Sequence, residues 1–179
     1  VTGTLTAGIK ESSKFMEREL NYIHDNIYKQ FGSLSVLAVE LSSDLSKSIE
    51  ASMAERGYEV TDIKNHPELL EGLVSSEYQR MLFSLAKSKS SGVFLILNTT
   101  FNDKLENADN SRAGLYIKNM EPNIISSSSP TIVLLRGFAN IGRKNSIPLH
   151  VQWSMEFDVS DAPYYHIPMQ EASKSKLPL

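Results

Sequence analysis

Cysteine is missing from all 179 residues. That removes disulfides, thiolate metal ligands and a cysteine nucleophile. Long apolar runs are missing as well. The longest is Val93–Leu97, far short of the ~20 residues a membrane-spanning helix needs. There is no excess of positive charge: 18 Lys and Arg stand against 21 Asp and Glu, a net charge of −3. No basic stripe runs along any helical pattern, so a nucleic-acid surface is not expected. The phosphate-cradling GxxxxGK and GxGxxG patterns are absent, as is the GxSxG nucleophile elbow. The four histidines, His24, His66, His150 and His166, match no zinc-ligand spacing. No cofactor or metal is therefore expected, and no enzyme activity within this stretch.

What is present suits a globular chain of one domain or slightly more, with 22% charged and 41% hydrophobic residues. From Ile9 to Arg56 the apolar residues Met16, Leu20, Ile23, Ile27, Phe31, Leu34, Leu37, Leu41, Leu45, Ile49 and Met53 recur at steps of three or four. That period predicts one long amphipathic helix. Gly57 supplies its stop. Gly32 is the weak point, costing ~1 kcal/mol against alanine, and marks either a bend or a break into two helices. Two shorter helices folded into a hairpin are the alternative. An unbroken helix would be about 70 Å long. One small domain is too narrow to cover that length, so part of the stripe is left for a second copy or another partner.

His66-Pro67-Glu68 opens a second helix, with Leu69, Leu70, Leu73, Val74, Tyr78, Met81, Leu82 and Leu85 on its buried face. After Gly92 the pattern changes. Val93–Leu97 reads as a buried strand, and Ala113–Ile117 as a second one pairing with it in an antiparallel hairpin. Asn102–Asn110 is a polar connection and Ser126–Pro130 a loop. Ile132–Leu135 is a short strand or a buried helical turn, and Phe138–Asn145 a helical turn. Val151–Phe157 alternates as a half-buried strand does. No periodicity is visible after Asp158. The fold class is α+β, a long N-terminal helix packed on an antiparallel sheet.

The candidate binding residues are arginines and aromatics. Arg136 directly follows Leu134-Leu135, and Arg112 precedes the strand Ala113–Ile117. A guanidinium beside a core requires an anion, because burying it unpaired is costly. Its partner is internal (Glu156, Asp158 or Asp161) or a ligand carboxylate, which an arginine fork fits. Tyr116 and Trp153 lie on strands and serve as core or as pocket wall. Asp161 and Tyr165 belong to a dense aromatic and polar segment, Asp161–His166, that either lines a pocket or packs on the sheet edge.

Four runs carry a resemblance to a known family: Ser91–Asn98, Asn110–Lys118, Leu134–Gly137 and Phe157–Tyr165. Together with the preceding long helix, they resemble the extracytoplasmic Cache, or PAS-like, sensor domains of bacterial histidine kinases, diguanylate cyclases and chemoreceptors. The resemblance implies a stalk helix at 1–57, a PAS-like module at 58–166 and a tail at 167–179 leading out of a piece of a longer protein. It implies a periplasmic location, a membrane anchor in flanking segments, and a small-molecule ligand bound on the sheet by Arg112, Tyr116, Arg136 and Trp153, with Asp161 and Tyr165 at the rim. It further implies a homodimer through the N-terminal helix and a cytoplasmic output domain elsewhere in the protein. The Arg-x-Trp-Tyr and Tyr-x-Asp runs of the amino-acid-binding members are absent, which argues against an amino-acid ligand. The rival reading is a helical interaction or assembly protein with a solid core.

Overall fold

A computed structural model describes residues 2–121 and 131–175, with side chains described from residue 7 to residue 174. The chain is α+β: a long N-terminal helix precedes two further helices and a mixed, mostly antiparallel sheet of four strands. It divides into two units, residues 1–40 and 41–179. The expected loop Ser126–Pro130 lies outside the described residues.

Helix α1 (Thr2–Ala54) passes through Gly32 without a break. Three turns on from Ile23, the Ser35 hydroxyl donates back to the Phe31 carbonyl at 2.9 Å, so the backbone around Gly32 keeps helical geometry. In the first unit, the stripe residues Met16, Leu20, Ile23, Ile27 and Phe31 are each at least 50% exposed. The same stripe changes character in the second unit, where Leu45, Ile49 and Met53 are buried. The helix ends in a Schellman arrangement: Gly57 N–H donates to Ala54 O and Tyr58 N–H to Met53 O. Gly57 sits at φ +80°, a conformation glycine adopts without a Cβ clash.

A 3₁₀ turn (Val60–Asn65) leads to α2 (Pro67–Ser76) and α3 (Tyr78–Ser88). At the start of α2, Glu68 is held below the usual carboxylate range by backbone hydrogen bonding and by His66. The single second helix expected from periodicity is interrupted at Glu77. Its apolar face is otherwise as anticipated, with Leu70, Leu73, Val74, Tyr78, Met81 and Leu85 buried. Glu77 turns inward with 1% exposure. It accepts Ser48 Oγ of α1 at 2.6 Å and Arg80 Nε at 3.0 Å.

The sheet runs β1 (Gly92–Ile96), β3 (Gly114–Asn119), β4 (Ile132–Arg136), β5 (Leu149–Ser154) in spatial order. β1 and β3 form the expected antiparallel pair, with Leu95 opposite Leu115. The ambiguous segment Ile132–Leu135 is strand, antiparallel to β3. The wholly antiparallel sheet is corrected at one edge, where β4 and β5 run parallel. The reason is the connection: Ala139–Lys144 forms a short helix, α4, and a crossover of this kind returns the chain in the same direction. The strand expected over Val151–Phe157 is divided. β5 ends at Ser154, and Phe157–Asp158 (β6) pairs instead with β2 (Ser111–Arg112) in a separate two-stranded sheet. Val151, on the edge strand β5, is 97% exposed. The segment after Asp158, without visible periodicity in sequence, contains α5 (Pro163–Ser175). Its Pro168 and mixed faces weaken the 3.6-residue signal on which a sequence reading depends.

One face of the sheet is the core. Leu115, Ile117 and Leu134 pack with Leu45 of α1, Leu70 and Val74 of α2, and Tyr78, Met81 and Leu85 of α3. Met53 and Leu20 therefore test opposite ends of one stripe. Met53→Ala will cost about 2–5 kcal/mol, and Leu20→Ala within about 0.5 kcal/mol, in denaturant unfolding at high dilution. Burial also raises the Tyr78 phenol above its ordinary value. The folded state favours the neutral phenol, so the stability Tyr78 contributes is intact below the unfolded-state value of about 10 and is lost as pH rises through the higher folded-state value. Tyr78→Phe will therefore show a shallower alkaline decline in Tm than the parent chain.

Candidate functional site

The second face of the sheet carries the aromatic residues. On β3, Leu115 and Ile117 point to the core, so Gly114, Tyr116 and Lys118 point the other way. Across the ladder, Phe94 of β1 is the partner of Tyr116 and meets it edge-on at 5.9 Å between ring centroids. The strand expected to be buried is instead half-buried, with Val93 and Leu95 partly covered against the core and Phe94 48% exposed. Phe157 of β6 stacks on Tyr116 at 6.5 Å and 11°. It lies so close over Gly114 that a Cβ there would approach Phe157 to 2.8 Å and the Leu95 carbonyl to 2.1 Å; only glycine fits. Tyr164 of α5 meets Phe94 edge-on at 5.7 Å and is 54% exposed.

Two arginines flank these rings. Arg136 reaches this face through a register shift: Ile117 pairs with Leu134, yet Tyr116 pairs with Arg136, leaving Leu135 as the extra residue. A bulge of this kind re-aims the following side chain. Arg136 Nη1 donates to the Leu135 and Gln152 carbonyls at 2.7 and 2.8 Å. Arg112 pairs with Phe157 in the small sheet. Its Nε donates to Tyr165 Oη at 2.9 Å, and its guanidinium lies 5.6 Å from that ring's centroid, within cation–π range. Tyr165 Oη in turn donates to Asn98 Oδ1 at 2.6 Å.

Neither guanidinium has an ion-pair partner among the described residues. The acids considered from sequence are engaged elsewhere or exposed. Glu156 accepts from the hydroxyls of Thr100 and Ser111 and from the Phe101 N–H, all uncharged donors. Asp158 accepts from Ser160 Oγ and Ser160 N–H, and these two bonds hold it below the usual carboxylate range. Asp161 is exposed on the turn before α5. Among the described residues, Arg136 donates only through Nη1 and Arg112 only through Nε and Nη1, which leaves their other N–H groups without a partner there. No buried side-chain polar atom among the described residues lacks a partner, so these free donors are open to solvent or a solute.

Four of the six residues singled out from sequence therefore gather on one face: Arg112, Tyr116 and Tyr165 around Phe157, and Arg136 beside Tyr116. Trp153 does not join them. It packs against the main core and its Nε1 donates to the Gly137 carbonyl at 3.0 Å. Sequence reasoning missed Phe94, Tyr164 and Asn98. Period-2 alternation within Val93–Leu97 is the signal that separates Phe94 from its neighbours; Tyr164 and Asn98 are joined to the site only by folding. A separate open hollow of about 730 Å³ lies along Ala139–Leu149. Its lining is mainly aliphatic, and its one charged member, Arg143, donates to Asn140.

The described residues of this face thus set the aromatic rings of Phe94, Tyr116, Phe157 and Tyr164 on the same side as two arginines with unused donors. No protein-family model, curated protein or solved structure matches the chain.

Tyr165→Phe removes both the acceptor for Arg112 Nε and the donor to Asn98. It will destabilise the fold by about 1–3 kcal/mol and leave the far-ultraviolet circular dichroism unchanged.

Proposed function

We propose that this chain is the ligand-sensing domain of a bacterial membrane receptor. In this reading it is a Cache- or PAS-like module on the extracytoplasmic side, anchored by segments that flank it, and it regulates an output domain on the other side of the membrane. The supporting observation is that neither Arg112 nor Arg136 has an ion-pair partner among the described residues, while Arg112 lies over the Tyr165 ring and Arg136 is opposite Tyr116 in the sheet. A charged fork with unused donors beside aromatic surface fits a small anionic molecule, its carboxylate on the guanidiniums and its body on the rings. Tyr116 and Tyr165 shape the shelf. Trp153 supports it from the core side of the sheet, and Asp161 stands outside it. The ligand acts by binding one arrangement of the domain more tightly than another. The chain's own role is recognition rather than catalysis.

A second reading, an assembly protein acting through its helix, is favoured by the exposed stripe from Met16 to Phe31. The flanking sequence separates the two. Apolar runs of ~20 residues on both sides are required by the receptor reading, and their absence would sink it.

The binding claim is tested by thermal shift against a panel of small mono- and dicarboxylic acids. A binder at 100 times its Kd raises Tm by roughly 5–10 °C in a chain of this size. Arg136→Ala will lose that rise while retaining the Tm of the unliganded parent within a few degrees. If the variant is unfolded instead, Arg136 is a strut between β4 and β5, and the binding claim fails.

A further inference from the structure

We infer that the hollow along α4 binds a straight-chain fatty carboxylate, its carboxylate on Arg143 and its chain on Ile147, Pro148 and Leu149. The hollow has a volume of about 730 Å³, within the range of small-molecule sites. One wall is the face of α4 that carries Ala139, Gly142 and Arg143, and the other is Ser146–Leu149. Both walls are pinned. Ile147 N–H donates to the Gly142 carbonyl at 3.0 Å, and Leu134 N–H of β4 donates to the Pro148 carbonyl at 2.9 Å. Asn140 Nδ2 donates to Glu71 of α2 at 2.8 Å. Gly142 sets how close the walls come: a Cβ there would lie 3.0 Å from the Ile147 carbonyl oxygen and 3.2 Å from Leu149 Cδ2. The shape is therefore fixed by the fold, and a ligand entering it has little protein left to order.

The charge pattern selects the ligand. Arg143 is the one charged residue of the lining. Its Nη2 donates to Asn140 Oδ1, so a neutral amide steers the guanidinium and no acid neutralises it. Lys144 stands next in the chain, and no Asp or Glu occurs between Glu121 and Glu156. A helix C-terminus ordinarily repels an anion, but here the last carbonyls are occupied. Ile141 accepts from Asn145 Nδ2 at 2.8 Å, Gly142 from Ile147 N–H, and Arg143 from Ser146 N–H at 3.4 Å. Apart from Arg143 and the Ser146 hydroxyl, the side chains of the lining are aliphatic. A sugar or a nucleotide would leave polar groups unpaired against them. A peptide backbone finds little to pair with, since the Ile147 N–H and the Pro148 carbonyl are spent and proline has no N–H. One anionic end on an otherwise apolar body is the pattern that remains. This site contains neither Arg112 nor Arg136 and is independent of the receptor reading.

The probe is decanoate, titrated below its micellar concentration into the whole chain and followed by amide NMR. Resonances of Ala139–Leu149 shift. Octanoate binds more weakly, by roughly 2- to 4-fold for each methylene removed. Decanol binds roughly 10-fold or more weakly, for want of a carboxylate. Arg143→Gln loses decanoate affinity by a similar factor and keeps the parent Tm, since the side chain is exposed. Ser146→Asp sets a competing carboxylate in the lining and has the same effect; aspartate tolerates the left-handed backbone there, at φ +56°. Should Arg143→Gln fail to fold, Ser146→Asp decides alone. The inference is overturned if decanoate shifts no resonance of Ala139–Leu149, if decanol binds as tightly as decanoate, or if either folded variant binds decanoate like the parent. It is equally overturned if a short peptide ending in leucine shifts the same resonances at lower concentration, which makes the hollow a peptide site.

Discussion

Glu77 is the one buried carboxylate among the described residues, and the second unit is organised around it. A charge removed from water is tolerated only with close donors. Here they are Ser48 of α1 and Arg80 of α3. That requirement sets the rotation of the last turns of α1 against the junction of α2 and α3. With Ser48 turned to Glu77, the four-spaced row Leu45, Ile49 and Met53 lies on the same side and closes over Leu70, Leu73 and Val74. The break between α2 and α3 falls at the same residue, whose backbone keeps right-handed angles of φ −86° and ψ −8°.

Because the helices claim one face of the sheet, the other is left for different use. Alternation along β1 and β3 sends Phe94 and Tyr116 to that face together, and the absence of a side chain at Gly114 lets Phe157 lie against it. The bulge at Leu135 brings Arg136 alongside. Glu156 meanwhile ties Thr100, Phe101 and Ser111 to the turn between β5 and β6, which holds Arg112 and Phe157 in register. The acid that offers an internal counter-charge in sequence is thus consumed by uncharged donors, and the guanidiniums keep theirs free.

Legibility in the sequence tracked how local each signal was. The long helix, its stop at Gly57, the apolar face of residues 69–85 and the β1–β3 hairpin were readable because each depends on a repeat or a turn residue. The split at Glu77, the parallel pairing of β5 and helix α5 were not. The first falls at a residue whose side chain meets a hydroxyl 29 residues away, the second rests on how a six-residue helix redirects the chain, and the third on a segment whose apolar residues mark no single face. Arg112, Tyr116, Arg136 and Tyr165 were visible as residue types out of place beside apolar runs, whereas Trp153 carried the same signal and belongs to the core.

The sequence by itself determined the α+β class, the long amphipathic helix with its stop at Gly57, and the lack of any thiol or phosphate-loop motif. These are properties of spacing and composition, and spacing survives unfolding. Only the tertiary structure decided which aromatics share a face and which arginines lack a counter-ion among the described residues. Those outcomes rest on strand register, on one extra residue at Leu135 and on which donors reach Glu156 first, and they exist only once distant segments have met.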